Sequence, residues 1–183
     1  MIDRLPYRLQ LNESPLLRDL EEDEVKSLFK RMEHLCFESD RTILAQGVEE
    51  KGLWLIGEGC CEVVRGNQSG TKERILAMLG PGTVFGEMSF FQQAAHSATV
   101  RSVTPVSVHK LTQQGFTDLL ADNGRAAGKI LTNLVRVQSD RLNMMDQWVC
   151  ELMDRNQTEN GATHTLNEWH QFRSKLYSEW NFY

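Results

Sequence analysis

Long apolar runs, clustered cysteines and an excess of basic residues are all missing from this sequence. Its 183 residues are 40% hydrophobic and 25% charged, as in ordinary globular domains. No stretch approaches the apolar length that crosses a bilayer. The N-terminus lacks the basic segment and apolar run of a secretory signal. We therefore expect a cytoplasmic protein with no membrane partner.

The four cysteines, Cys36, Cys60, Cys61 and Cys150, are scattered along the chain. Because no C-x-x-C grouping is present, we expect neither a zinc site nor an iron–sulfur cluster, and no resident cofactor. The adjacent Cys60 and Cys61 would point to opposite faces of a strand. The cysteines are therefore expected to be reduced thiols that are mostly buried.

Basic side chains are outnumbered by acidic ones, and the formal net charge at pH 7 is −5. A nucleic-acid-binding domain usually presents a basic face. The composition therefore argues against DNA as a partner.

The chain does contain a clear change of hydrophobic period. Leu16, Leu17 and Leu20 and then residues 25–32 have helical spacing, which predicts two short leading helices. From His34 to Leu111, short runs of Val, Ile, Leu and Trp alternate with turn residues roughly every eight to twelve positions. The strands predicted are 35–37, 42–44, 53–56, 60–64, 74–78, 97–100 and 106–109. Regular spacing of this kind is typical of a closed antiparallel barrel or jelly roll.

After Thr112 the period becomes helical again, first in a short helix that ends near residues 122–124 and then in a long helix over about 125–153. The long helix carries a heptad seam. Its members are Leu131, Val135, Gln138, Leu142, Met145, Val149 and Leu152. A seam with one polar core position predicts pairing with a second copy, giving a homodimer. The alternative is that this stripe packs on the protein's own barrel.

The sequence therefore predicts an α+β fold that is mainly β, an antiparallel jelly-roll barrel flanked by N-terminal helices and a long C-terminal helix. Its segments are N-terminal helices at 1–33, the barrel at 34–112, C-terminal helices at 113–153, and a linker with an aromatic tail helix at 154–183.

Residues 80–100 carry the candidate binding chemistry. A strand is predicted to end at Phe85, Gly86 permits a sharp turn, and 88–91 can form one helical turn whose free N–H groups favour an anion. Glu87 at the start of this turn is badly placed for phosphate but well placed to accept hydrogen bonds from sugar hydroxyls. A ligand that carries both groups fits better than inorganic phosphate.

Together with Gly47 and Gly59, this segment resembles the cyclic nucleotide-binding domain superfamily of catabolite activators, kinase regulatory subunits and gated channels, over about residues 16–152. In that family a glycine and a glutamate hold the ribose, and an arginine with the following small residues clamps the cyclic phosphate. The resemblance implies ribose contacts from Gly86 and Glu87 and base contacts from the long helix. The ligand-binding residues that follow are Gly86, Glu87, Met88, Ser89, His96, Ser97, Ala98, Gln138 and Ser139.

His96 occupies the position of the family's arginine, and Ala95 stands where a proline is usual. Arginine offers phosphate a charged, bidentate fork, whereas histidine offers one or two donors and is mostly neutral at pH 7. Loss of a hydrogen bond to a charged group costs about 1.5–3 kcal/mol. His96 is then either a substitute phosphate donor, whose binding strengthens as the pH falls through about 6.5, or a histidine without a ligand role.

The function expected is a ligand-sensing regulatory module that binds cyclic AMP, cyclic GMP or a related phosphorylated ligand and signals through its long helix to an unidentified effector protein. No triad or paired carboxylates indicate an enzyme, and the tail 154–183 has room for one helix rather than a DNA-binding unit. The alternative is a scaffold or protein-interaction domain with a vestigial pocket.

Overall fold

A computed structural model describes residues 13–66, 73–92 and 94–157 of the chain. The predicted tail helix lies outside the described residues. By their contacts the residues form two units, Met1–Val137 and Gln138–Tyr183, and each is described by itself. No helix within the described ranges is both long and apolar enough to cross a membrane.

The described residues contain eight strands in two antiparallel sheets of four. The strands are β1 (Met32–Phe37), β2 (Thr42–Leu44), β3 (Gly52–Glu58), β4 (Cys61–Gly66), β5 (Glu73–Leu79), β6 (Val84–Phe85), β7 (Thr99–Ser102) and β8 (Val106–Thr112). One sheet has the order β1-β8-β3-β6 and the other β2-β7-β4-β5. All paired neighbours run antiparallel.

Helices precede and follow the strands along the chain, and one short helix lies between two strands. A 3-10 turn at Pro15–Leu17 precedes α1 (Glu22–Phe29), α2 (Glu87–Phe91) lies between β6 and β7, and α3 (Gln113–Asp122) leads into α4 (Gly124–Gln157). This arrangement confirms the predicted α+β fold, with an antiparallel jelly roll, leading helices and a long C-terminal helix.

β3 shows how the core is divided, because its side chains alternate between two apolar clusters. Leu53 and Leu55 pack with the helices, whereas Trp54 and Ile56 pack between the two sheets. Both faces of this central strand are therefore covered, and residues 52–57 are buried. The uninterrupted apolar run in the sequence reflects burial on both sides.

The long helix is held to the first unit by a face different from the predicted seam. Ala127, Ile130 and Leu134 are buried in the cluster that includes Leu53. Asn133, also buried, donates hydrogen bonds to the carbonyl oxygens of Leu16 and Arg18 at 3.0 and 2.7 Å.

Several predicted boundaries are wrong. Met32 was expected to close a helix but begins β1, where it pairs with Leu111. β4 begins at Cys61 instead of Cys60, and β7 begins at Thr99 instead of Ser97. Residues 97 and 98 form a bend, because the loop after α2 turns there before it joins the sheet.

The cysteines are free thiols, but the prediction that most of them are buried is wrong. Cys36 and Cys150 are exposed, Cys60 is half-buried, and only Cys61 is buried. Loss of solvent around Cys61, together with the neighbouring Cys60, raises the pKa of the Cys61 thiol to about 11. Cys61 therefore behaves as a small apolar core residue.

Candidate ligand-binding site

Gly86 makes the turn that joins β6 to α2. Its φ is 81°, in the left-handed region. A Cβ at this position would lie 2.5 Å from the carbonyl oxygen of Gly52 and 2.9 Å from Cδ1 of Trp54. Both the backbone conformation and the close approach of β3 therefore require glycine here.

α2 presents one face to the protein and the other to solvent. Glu87, Ser89 and Phe90 are buried, and Glu87 is only 8% exposed. Met88 and Phe91 are exposed. Of the residues predicted on this turn, Glu87 and Ser89 therefore face inward and Met88 does not.

The C-terminal end of α2 is tied to α3. Gln113 Nε2 donates a hydrogen bond of 2.8 Å to the carbonyl oxygen of Phe90. The ring of Phe90 also meets that of Phe116 edge to face, with 5.9 Å between centroids. α2 is therefore in direct contact with the helix that precedes α4.

His96 is fixed in the loop after α2 by its backbone. Its N–H donates to the carbonyl oxygen of Val48 at 3.0 Å, and its own carbonyl oxygen accepts from Gly47 N at 2.9 Å. Gly47 has a φ of 80°. The turn between β2 and β3 thus sets the position of His96.

The side chain of His96 pairs with Ser89. Ser89 Oγ lies 2.9 Å from His96 Nδ1 and 3.1 Å from the carbonyl oxygen of Gly86. His96 is 7% exposed, and its Nε2 has no hydrogen-bond partner among the described residues. Burial lowers the pKa of His96, and the nearby Glu50 partly opposes this shift. The imidazole is therefore neutral at pH 7.

Two cations on β7 and β8 are bound to carboxylates. Lys110 Nζ lies 2.6 Å from Glu50 Oε1, and Arg101 Nη2 lies 2.6 Å from Glu62 Oε1. The bond to Glu62 also raises the pKa of Arg101. Neither cation replaces the positive charge that an arginine at position 96 would supply.

The remaining predicted site residues lie in the bend before β7 and on α4. Ser97 is exposed and Ala98 is half-buried in the bend before β7. Gln138 and Ser139 lie on α4 at the start of the second unit, and their contact with a base stays a prediction.

Sequence reasoning missed two features of this site. Trp54 lies beneath Gly86 and stacks on Phe85 at 5.9 Å between ring centroids. Ser89 was predicted as a ligand-binding residue on the turn, not as the partner of His96. Ser89 and His96 lie seven residues apart, but the helix ends at Phe91 and a loop follows, so no regular period of helix or strand links the two residues.

Comparison with known proteins relates the barrel to an established domain family. Residues 34–123 match the cyclic nucleotide-binding domain. Glutaminase 2 of Bradyrhizobium diazoefficiens is 31% identical over 134 residues, which are 73% of this chain and 20% of that enzyme. The chain therefore spans about a fifth of that relative.

Two solved structures show the same fold. The catabolite activator protein of Thermus thermophilus superposes with a TM-score of 0.68 and 28% identity, covering 76% of this chain and 63% of the activator. The regulatory subunit of a cAMP-independent protein kinase A from Trypanosoma brucei gives a TM-score of 0.61 and 28% identity, covering 73% and 46%. A triple mutant of that subunit has been solved with cAMP bound in its A site.

Proposed function

We propose that the chain is a cytoplasmic ligand-sensing module that takes cyclic AMP, cyclic GMP or a ligand with the same ribose group. The match of residues 34–123 to the cyclic nucleotide-binding domain supports this proposal. The observation that carries this proposal is the buried carboxylate of Glu87, placed directly after the left-handed turn at Gly86. A carboxylate accepts hydrogen bonds from two adjacent hydroxyl groups, which is the feature that a ribose diol presents.

We assign the site a binding role and not a catalytic one. The activator and the kinase subunit are regulatory proteins by name. The glutaminase carries a matching segment as a fifth of its length, which is consistent with a regulatory module attached to an enzyme.

The signal would pass from α2 to the C-terminal helices. Gln113 and Phe116 hold α3 to Phe90, so ligand contacts at Glu87 and Ser89 change the position of α3 and, through it, the start of α4. The exposed seam of α4 would pair with a second copy, and an effector protein would detect the change. Both partners are part of the proposal.

One observation favours a second candidate, a scaffold with a vestigial pocket. The segment 80–100 has no arginine at position 96, and Arg101 and Lys110 are bound to carboxylates. A pocket that has lost its ligand would show these changes, and its protein would act through protein contacts alone.

Thermal unfolding with a ligand panel separates the two candidates. The panel contains cyclic AMP, cyclic GMP, adenosine and guanosine, each tested against the wild-type chain, Glu87→Ala and the exposed control Glu49→Gln. A ligand at about one hundred times its Kd stabilises by about 2.7 kcal/mol. We expect at least one ligand to raise the melting temperature of the wild type and the control but not of Glu87→Ala. No shift with any ligand would instead support the scaffold.

A further inference from the structure

Arg65 on β4 and Arg74 on β5 lie directly opposite each other in the antiparallel pair that these strands form. Residues in opposite positions project from the same face of a sheet, with their Cβ atoms about 4.5–5.5 Å apart. Both arginines are exposed. Because like charges in opposite positions destabilise a strand pair, this arrangement is unfavourable unless an anion lies between the two guanidinium groups.

The carboxylates on the same two strands already contact another cation. Glu62 on β4 lies 2.6 Å from Arg101, and Glu73 on β5 lies 3.6 Å from it. Within the described ranges, neither Arg65 nor Arg74 forms an ion pair with a carboxylate. The positive charge of the arginine pair is therefore available to a ligand.

The arginine pair is level with the loop that precedes β7. Val64 pairs with Thr99. The next residue of β4, Arg65, therefore comes level with Ala98. Side chains alternate along a strand, and Val63, two residues before Arg65, packs between the two sheets. The two arginines therefore project from the barrel-facing side of their sheet.

Gln46, in the turn between β2 and β3, fixes this juxtaposition. Its Oε1 accepts a hydrogen bond from the N–H of Gly66 at 2.9 Å, and its own N–H donates to Thr99 Oγ1 at 3.0 Å. Gly66 follows Arg65 on β4. Thr99 follows Ala98, so one residue ties the two neighbouring backbones together. The backbone that carries the arginine is thus fixed before any ligand binds, which lowers the ordering cost of binding.

We propose that Arg65 and Arg74 together form an anion-binding site that takes the phosphate group of a small ligand beside the loop at Ala98. Each guanidinium can donate two parallel hydrogen bonds to phosphate, and a phosphate between them replaces their repulsion with two attractions. The net charge of −5 disfavours a large polyanion as the ligand. The site is defined by the two arginines and not by Glu87 or His96, so it does not depend on the proposed function.

Titration calorimetry of the full chain at low ionic strength tests this site with cyclic AMP, cyclic GMP, adenosine, guanosine and inorganic phosphate. Each ligand is titrated into the wild type, Arg65→Gln, Arg74→Gln and the control Arg41→Gln. Arg41 is also exposed, and it precedes β2 at the opposite edge of the same sheet. We expect at least one phosphorylated ligand to bind the wild type and the control, and to bind the other two variants about tenfold or more weakly.

The melting temperature gives a second readout, which a merely structural role of the arginines would not reproduce. Removal of one of two opposed charges relieves their repulsion. Without ligand, Arg65→Gln and Arg74→Gln should therefore melt at the wild-type temperature or above it. The phosphorylated ligand should raise the melting temperature of the wild type and Arg41→Gln but not of these two variants. An equal response of all four proteins would overturn the inference.

The affinities also separate the anion site from the proposed sensor. A cyclic nucleotide that binds all four proteins equally tightly would overturn the anion site and leave the sensor intact, as would binding of nucleosides without any phosphorylated ligand. Inorganic phosphate that alone binds, and that both arginine variants lose, would support the anion site and count against the sensor. Binding of none of the five ligands would overturn both.

Discussion

The buried carboxylate of Glu24 on α1 accepts a hydrogen bond of 2.5 Å from Lys129 on α4, 105 residues further along the chain. A second oxygen of the same carboxylate lies 3.4 Å from Arg125 Nε. Glu24 Oε2 also accepts from the backbone N–H of Glu21, at 2.8 Å. One carboxylate thus caps α1 and joins it to the start of the long helix.

Replacing Glu24 with glutamine should destabilise the protein by about 1 kcal/mol at pH 7, because charge-assisted hydrogen bonds are replaced by weaker ones. The hydrogen bond from Lys129 is the main reason that the pKa of Glu24 is lowered from 4.5. A carboxyl group whose pKa is lowered on folding stabilises the folded state. This contribution is fully present at pH values above the unfolded pKa of about 4.5. This contribution is lost as the pH falls through the lower folded value, so urea unfolding of the wild type should show a step there that Glu24→Gln lacks.

Glu22→Gln is the matched control for this experiment. Glu22 lies on the same helix and pairs with Lys26 at 3.0 Å, but both side chains are exposed. Exposed pairs contribute little, so this variant should change stability by less than about 0.5 kcal/mol. Equal losses in the two variants would show that the long-range contact of Glu24 is unimportant.

Replacing Gly86 with alanine should destabilise the protein and abolish binding in the candidate site. The strain of a left-handed alanine alone costs on the order of 1–3 kcal/mol, and the new Cβ would also meet the Gly52 carbonyl oxygen at 2.5 Å. Gly80→Ala is the control, since nothing lies within 4 Å of its added Cβ. Calorimetric melting of both variants measures the difference, and a Gly86→Ala protein as stable as the control would contradict the assigned turn.

Strand β3 could be predicted because its burial is continuous. β3 is covered on both faces and reads as a continuous apolar run, and the predicted strands 42–44 and 53–56 fall within β2 and β3. The boundary at Met32 was not predictable from local spacing. Met32 fits the helical period of α1, but pairing with Leu111 from β8 places it in a strand, and that partner is 79 residues away in sequence.

Only part of the candidate site could be predicted from neighbouring residues in the sequence. The turn at Gly86 and the helix that follows it depend on residues adjacent in sequence, and they were visible in the segment 80–100. The pairing of Ser89 with His96 depends on where the turn at Gly47 and Val48 holds the loop. That turn belongs to another part of the chain, so the contact between Ser89 and His96 became evident only in the structure.

The heptad seam of α4 leads to the last prediction. Residues that pack α4 on the first unit, such as Ile130 and Leu134, lie outside the seam. Of the seam members, Leu142 and Met145 are 51% and 55% exposed, and Val135 is exposed as well. An apolar stripe at heptad spacing that remains exposed in one chain fits a parallel partner helix.

We therefore predict that the wild type sediments as a dimer at micromolar concentration and that Leu142→Glu sediments as a monomer. A carboxylate at a paired core position must be desolvated without a partner, which weakens the dimer by at least about 2–3 kcal/mol, or roughly a hundredfold in Kd. Met144→Glu introduces the same charge beside the seam, at a position that is 69% exposed, and should remain dimeric. A wild-type monomer, or equal dissociation of the two variants, would exclude pairing through this seam. The proposed signal from the barrel would then have to reach the effector through a single copy of α4.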